Sequence, residues 1–234
     1  MLEVRDLHSY YGDAHVLHGV SLNVAEGEVV ALLGRNGMGK TTLIRSIMRL
    51  AQPTVREGSI RWGGQELVGL RPHEVAQRKI ALVPQGRRLF PSLTVLEHLT
   101  MLKSERDTSG WTVAKIFEMF PRLAERKHHR GNQLSGGERQ MLAVGRALVI
   151  DPVLVLMDEP SEGLAPVMVQ HLEGIIAGLK RAGLTILLVE QNFYSAMAVA
   201  DRVYVMETGK VVHEAHASEV RDNEESLMRY LGVH

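Results

Sequence analysis

The chain of 234 residues has no cysteine, no excess of either charge and no apolar run long enough to cross a bilayer. Without cysteine there is no disulfide framework and no thiolate metal site, which fits a reducing compartment. Lys plus Arg (27) balances Asp plus Glu (27). The basic excess that grips long nucleic acid is therefore missing, and no nucleic-acid partner is expected. The longest apolar runs, Val153–Met157 and Ile186–Val189, are strand-sized, against the ~20 residues of a membrane-spanning helix. Met1-Leu2-Glu3-Val4-Arg5-Asp6 alternates charge where a signal peptide would place a basic segment and an apolar run, so a soluble chain without a leader is expected. There are no repeats, low-complexity runs or heptad segments.

What is present is a composition that is 45% hydrophobic, enough for one compact α/β domain with a subdomain. Strand patterns cover Leu2–Leu7, Val20–Val24, Glu28–Leu33, Ser59–Trp62 and Lys79–Val83, with a helix at Pro72–Gln77. From about residue 85 to 150 the pattern turns helical, with candidates at Thr94–Leu102, Thr112–Phe120 and Gly136–Ile150. Thr94-x-x-Glu97 and Ser135-x-x-Glu138 have capping-box spacing. Strand and helix then alternate through Val153–Met157, Val167–Arg181, Leu184–Val189, Phe193–Ala200 and Arg202–Met206, and a short helix is expected at Glu225–Leu231. Alternation of this kind implies a mostly parallel sheet with its binding site at the strands' carboxyl ends. Residues 1–84 and 151–234 form the expected core, and 85–150 an inserted helical subdomain.

Between a buried strand and an amphipathic helix lies Gly34-Arg35-Asn36-Gly37-Met38-Gly39-Lys40-Thr41-Thr42. Gly, four residues, then Gly-Lys-Thr is the phosphate-binding loop in the strand–loop–helix setting that gives it meaning. The glycines let backbone N–H groups turn inward around a phosphate, and the helix start adds the positive end of its dipole. Lys40 would reach the β- and γ-phosphates, and Thr41 would ligate magnesium. A dinucleotide loop needs a third glycine-pattern position that Asn36 occupies here. Val153–Met157 then ends in Asp158-Glu159-Pro160. Alone, such an acidic pair fits a helix N-terminal cap equally well. Downstream of a phosphate loop, Asp158 reads as a magnesium holder and Glu159 as the group that polarises an attacking water.

Leu134-Ser135-Gly136-Gly137-Glu138-Arg139-Gln140 supplies a second anion-binding helix start. One nucleotide does not need two such sites from one chain, whereas a head-to-tail pair of chains does. With this run the sequence resembles, over essentially its whole length, the ATP-binding subunits of ABC transporters. The resemblance implies a P-loop NTPase of the ABC type, with a mostly parallel core sheet, an antiparallel β subdomain and the inserted helical subdomain. It implies ATP and Mg2+ as cofactors, Tyr11 stacking on adenine with Tyr10 as the neighbouring candidate, and Gln85 touching the metal. It places Ser135, Gly136 and Gly137 on the nucleotide held by a second chain.

Two positions depart from the usual family pattern. Gln191, in Glu190-Gln191-Asn192, stands where many relatives carry a switch histidine, so any role on the γ-phosphate is positional, without titratable charge. Ala165 replaces the aspartate of the loop that crosses the dimer interface in many relatives. Together with Tyr11-Gly12, Gly86-Arg87-Arg88 and Phe120-Pro121-Arg122-Leu123, these variants resemble the branched-chain amino acid importer branch. That implies an ATPase on the cytoplasmic face of the inner membrane. Its implied partners are permease subunits, a second ATP-binding subunit (a copy or a paralogue) and, indirectly, a solute-binding protein. The alternatives are a urea or short-amide importer and a soluble non-transport ABC ATPase. A P-loop kinase or GTPase leaves Leu134–Gln140 without a purpose, and no Asn-Lys-x-Asp guanine motif is present. Arg87-Arg88, His128-His129 and the His213–His216 run are expected to be solvated surface or locally paired.

Overall fold

A computed structural model describes residues 1–102 and 110–222; the helix expected at Glu225–Leu231 lies outside them. In chain order the elements are β1 (Leu2–Tyr11), β2 (Ala14–Val24), β3 (Val29–Leu33), α1 (Lys40–Ile47), β4 (Thr54–Trp62), β5 (Gln65–Glu66), α2 (Pro72–Gln77) and β6 (Ile80–Val83). Four helices follow: α3 (Val95–Thr100), α4 (Val113–Met119), α5 (Pro121–Glu125) and α6 (Gly136–Leu148). Then come β7 (Leu154–Asp158), α7 (Pro166–Arg181), β8 (Thr185–Glu190), α8 (Phe193–Val199), β9 (Arg202–Glu207), β10 (Lys210–His216) and α9 (Ala217–Asp222).

The strands form two sheets. One is antiparallel in the order β2-β1-β4-β5; the other runs β10-β9-β3-β8-β7-β6. Within the second, only the β9–β10 pair is antiparallel. Every residue of β3, β7 and β8 is buried. Their unbroken apolar runs follow from helices covering both faces of a parallel sheet. On one face α6 and α7 pack Leu142, Val144, Leu148, Leu172 and Ile176 against Val155, Met157 and Leu188. On the other, α1 places Leu43, Ile44 and Ile47 between the two sheets, against Leu7, Leu17, Leu32 and Leu156. A helix that starts at a phosphate loop is thus anchored through its apolar stripe to both sheets.

Several elements are longer than the sequence pattern suggests. β2 begins at Ala14 rather than Val20, and β4 at Thr54 rather than Ser59. Their outer halves carry His, Arg, Glu and Gly, and register shifts between Val4 and Leu7 and between Ser9 and Tyr10 break the period of two. The ladder is made by backbone bonds to β1, and the few inward apolar residues, such as Leu17, do not fall into a regular alternation. The sequence reading also has no counterpart to α5, which starts at Pro121 directly after the end of α4; Pro is at home in a first helical turn. Both expected capping boxes are present. Thr94 Oγ1 accepts from Glu97 N at 3.2 Å, and Ser135 Oγ accepts from Glu138 N at 3.2 Å.

The turn between β9 and β10 is wedged behind the phosphate loop. Gly209 N donates to Met38 O at 2.9 Å, and His18 N of β2 donates to Gly209 O at 2.9 Å. Gly209 has φ +72°, and a Cβ there would lie 1.9 Å from Val16 O and 2.8 Å from the His18 ring. Gly209→Ala is therefore expected to cost about 2–4 kcal/mol, seen as a lower urea midpoint at unchanged m-value.

Candidate functional site

Four neighbouring strands, in the order β3, β8, β7 and β6, end on the same edge of the sheet. Their carboxyl ends deliver the phosphate loop, Gln191, the Asp158-Glu159 pair and Gln85, the arrangement by which open α/β sheets build sites. The loop from Gly34 to Gly39 is tight. A Cβ on Gly34 would sit 2.5 Å from Met206 O, and Gly39, at φ +103°, would place one 2.9 Å from Leu17 Cδ2. Gly39 caps α1 with no side-chain hydrogen bond, which leaves the N–H groups of the first turn to a ligand. Lys40 is buried; its Nζ donates to Gly34 O at 2.6 Å and Arg35 O at 3.0 Å. It also pairs with Glu159 Oε1 at 3.0 Å, with the two side chains 3% and 7% exposed.

Thr41 Oγ1 donates to Asp158 Oδ1 at 3.0 Å. Gln85 Nε2 donates to Glu159 Oε2 and to Glu162 Oε2, each at 3.0 Å. Burial pushes the Asp158 carboxyl up to about 6; the Thr41 bond opposes this, the Glu159 charge adds to it, and Lys40 opposes it. Glu159 itself lies at φ +46°, a left-handed conformation that a residue with a Cβ adopts at a cost. Its N–H donates to Val189 O at 2.9 Å, which holds it there. Val16, Asn36, Gly39, Lys40, Gln85 and Glu159 line one cavity of about 230 Å³. The glycine cradle, the buried ammonium and the free helix start fit a polyphosphate. The oxygens of Thr41, Asp158 and Gln85 are the hard donors that magnesium takes.

Beside this cavity lies a second hollow, of about 370 Å³, whose wall includes Glu159, Glu190 and Gln191. Gln191 is exposed at its rim. Glu190 is buried, and its Oε1 accepts from Ser161 N at 3.0 Å. Burial raises its pKa, against the hydrogen bonds from Ser161, Gln191 and Asn192. Arg87 departs from the expectation of a solvated face or a partner acid. Its Nη2 donates to the carbonyls of Glu162 and Gly163 at 3.2 and 3.3 Å. Gly86, Arg87 and Arg88 all have positive φ, at +75°, +67° and +33°. Neither role was legible in the sequence, because both arginine and Glu190 act on backbone atoms some 30 to 75 positions away, with no motif to mark them.

The remaining predicted residues stand apart from the cavity. Ser135 is exposed at the start of α6, with Gly136 and Gly137 half-buried behind it. Ser135 lines a different groove, between α5, α6 and α7, and no hydrogen bond among the described residues joins it to the phosphate loop. Tyr11 is half-buried at the end of β1. Tyr10, the neighbouring candidate, stacks on His15 with centroids 4.2 Å apart and lies under the Arg56 guanidinium at 4.2 Å. Tyr11 makes no ring contact among the described residues. Its hairpin also carries Val16, which lines the cavity.

The ABC transporter family model matches residues 17–162, more than half of the chain. The chain is 44% identical over 234 residues to BraG, the high-affinity branched-chain amino acid transport ATP-binding protein of Pseudomonas aeruginosa, covering 99% of this chain and 100% of that one. Among solved structures, MJ1267, an ATP-binding cassette of an ABC transporter, matches with a TM-score of 0.86 at 25% identity, over 100% of this chain and 99% of the other. The dimeric structure of the ABC transporter cassette MJ0796 matches with a TM-score of 0.81 at 28% identity, over 93% and 99%. With a buried lysine, two carboxylates and a glycine cradle at one sheet edge, in the fold of these cassettes, the chain belongs to the ABC transporter family.

Proposed function

We propose that this chain is the ATP-hydrolysing subunit of an importer for branched-chain amino acids, working peripherally on the cytoplasmic face of the membrane. The observation that carries the reading is the joined cluster Lys40–Glu159, Thr41–Asp158 and Gln85–Glu159 at the mouth of one glycine-lined cavity. The importer substrate rests on the similarity to BraG over the full chain and on the Glu190-Gln191-Asn192 and Gly163-Leu164-Ala165-Pro166 variants. Its partners are permease subunits, a second ATP-binding subunit and, through the permease, a solute-binding protein.

In this mechanism the backbone N–H groups of residues 36–42 and the Lys40 ammonium bind the triphosphate, with Gly34, Arg35 and Met38 shaping the loop. Tyr11 stacks on the base. Thr41, Asp158 and Gln85 would hold magnesium, which would neutralise charge on the phosphate oxygens. Glu159 orients the attacking water and takes its proton, and Gln191 positions the γ-phosphate by hydrogen bonding. The helices α3 to α6 act as a unit that offers Ser135, Gly136 and Gly137 to the nucleotide of the second subunit. Closure is driven because the closed pair contacts ATP in a way that the open pair cannot. The exposure of Ser135 and its separation from the chain's own phosphate loop support this division of labour.

Three outcomes are expected. Glu159→Gln should lower the rate of ATP hydrolysis by about 10²–10⁴-fold, the usual worth of a general base, while equilibrium nucleotide binding survives; normal turnover would remove Glu159 from the role. Lys40→Ala should weaken both ATP binding and ATP-driven dimerisation, measured by titration and by size-exclusion chromatography. The third concerns pH. Asp158, raised to about 6 when folded, contributes stability that is present below its unfolded value of ~4 and is lost as pH rises through about 6. In the absence of metal and nucleotide, Asp158→Asn should therefore raise stability by about 1–3 kcal/mol at pH 8, with the gain vanishing near pH 4 in urea denaturation.

A further inference from the structure

Two loops at the edge of the cavity carry the groups that the proposed hydrolysis needs. One, Glu159–Gly163, follows β7; the other, Gln191-Asn192, follows β8. Glu190, the last residue of β8, lies between them. It is 3% exposed, and its two carboxylate oxygens are divided: Oε1 accepts from Ser161 N at 3.0 Å and Oε2 from Gln191 N at 3.3 Å. No cation pairs with it among the described residues. A buried carboxylate without a counter-charge is costly, and many polar groups that only cap a strand end do so at lower expense. What this one obtains is a bond to Ser161 N of the first loop through one oxygen and, through the other, a local bond that orients the amide of the next residue, Gln191.

The opposite side of the first loop is held as well. Gln85 donates to Glu159 and Glu162, and Arg87 donates to the carbonyls of Glu162 and Gly163. The Glu159–Gly163 loop is therefore tied on one flank to the segment after β6 and on the other, through Glu190, to the segment after β8. Gln191 carries no charge that would draw it to a phosphate, so its usefulness depends on where its backbone is held.

We propose that Glu190 is a positioning residue for hydrolysis: its carboxylate locks the Gln191 loop to the loop of Glu159, so that the water-polarising group and the γ-phosphate contact keep one fixed geometry. This rests on the ATPase reading above and deepens it. In this role Glu190 acts through the Ser161 and Gln191 amides rather than by contact with nucleotide or metal. Tight nucleotide binding therefore does not need it, and turnover does.

The test uses the full chain and Glu190→Gln, which keeps the volume but turns an N–H2 group toward N–H donors on one side and so breaks a tie there. Expected are faster hydrogen exchange at the Ser161 or Gln191 amide and a kcat lower by about tenfold, the kinetic equivalent of one unsatisfied buried hydrogen bond. KM for MgATP should stay within about twofold. Combined with Gln191→Ala, the loss in kcat should be smaller than the product of the two single losses, because both variants release the same contact. An unchanged kcat in Glu190→Gln would overturn the proposal, as would losses that multiply or a KM that rises as far as kcat falls. A wild-type chain that hydrolyses no ATP would overturn the functional reading and this inference together, whereas an active wild type with a fully active Glu190→Gln overturns this inference alone.

Discussion

The ammonium of Lys40 has to be buried and compensated at once. It stands at the head of α1, almost wholly withdrawn from solvent, and an uncompensated charge there would cost several kcal/mol. Compensation comes from the Gly34 and Arg35 carbonyls and from Glu159, and each places a demand elsewhere. The carbonyls point inward only because the loop is glycine-rich and pressed against Met206. Glu159 reaches the lysine only in a left-handed backbone conformation, held by a hydrogen bond to Val189. That bond exists only because β7 and β8 run parallel and in register at Asp158 and Val189. The same pair of charges thus fixes the loop, the strand order and the departure of the chain from β7.

Much of this was readable from local pattern. The phosphate loop, the apolar runs of β3, β7 and β8 and the two capping boxes are each encoded within a dozen consecutive residues, and each stands where the sequence places it. The outer halves of β2 and β4 were not readable, because their strand state comes from ladder bonds to β1 across a bulged register, and inward apolar residues such as Leu17 alternate irregularly with polar ones. Arg87 and Glu190 were equally silent. Each grips main-chain atoms brought near only by the folded sheet, and a main-chain acceptor or donor leaves no signature in the sequence. Short elements such as α5 fall below the length at which periodicity can speak.

The site holds several conformations and charges that a sequence optimised for stability alone would avoid. Asp158 is pushed toward its neutral form, Glu159 carries a positive φ, and Arg87 and Arg88 follow Gly86 through left-handed space. They cluster on one sheet edge, while the opposite faces are filled by Leu, Val and Ile at nearly complete burial. Strain of this sort persists where surrounding packing over-determines it, and the usual return is function rather than stability. The four-helix stretch from α3 to α6, which carries the exposed Ser135, is anchored through Leu142 and Leu148 to that same packed face.

The wedge formed by Gly209 has a consequence in time as well as in space. Residues 34–42 leave the ribosome early, but the turn that backs Met38 and seats against Val16 and His18 is made some 170 residues later. Domains generally assemble as units when their chain has emerged, and here the last antiparallel pair completes the rear wall of the loop made first. A nascent or truncated chain ending before β9 has every residue of the nucleotide motif but lacks the rear wall that Met206 and Gly209 give the loop. Synthesis itself therefore delays the completion of the loop's rear wall until β9 and β10 have been made.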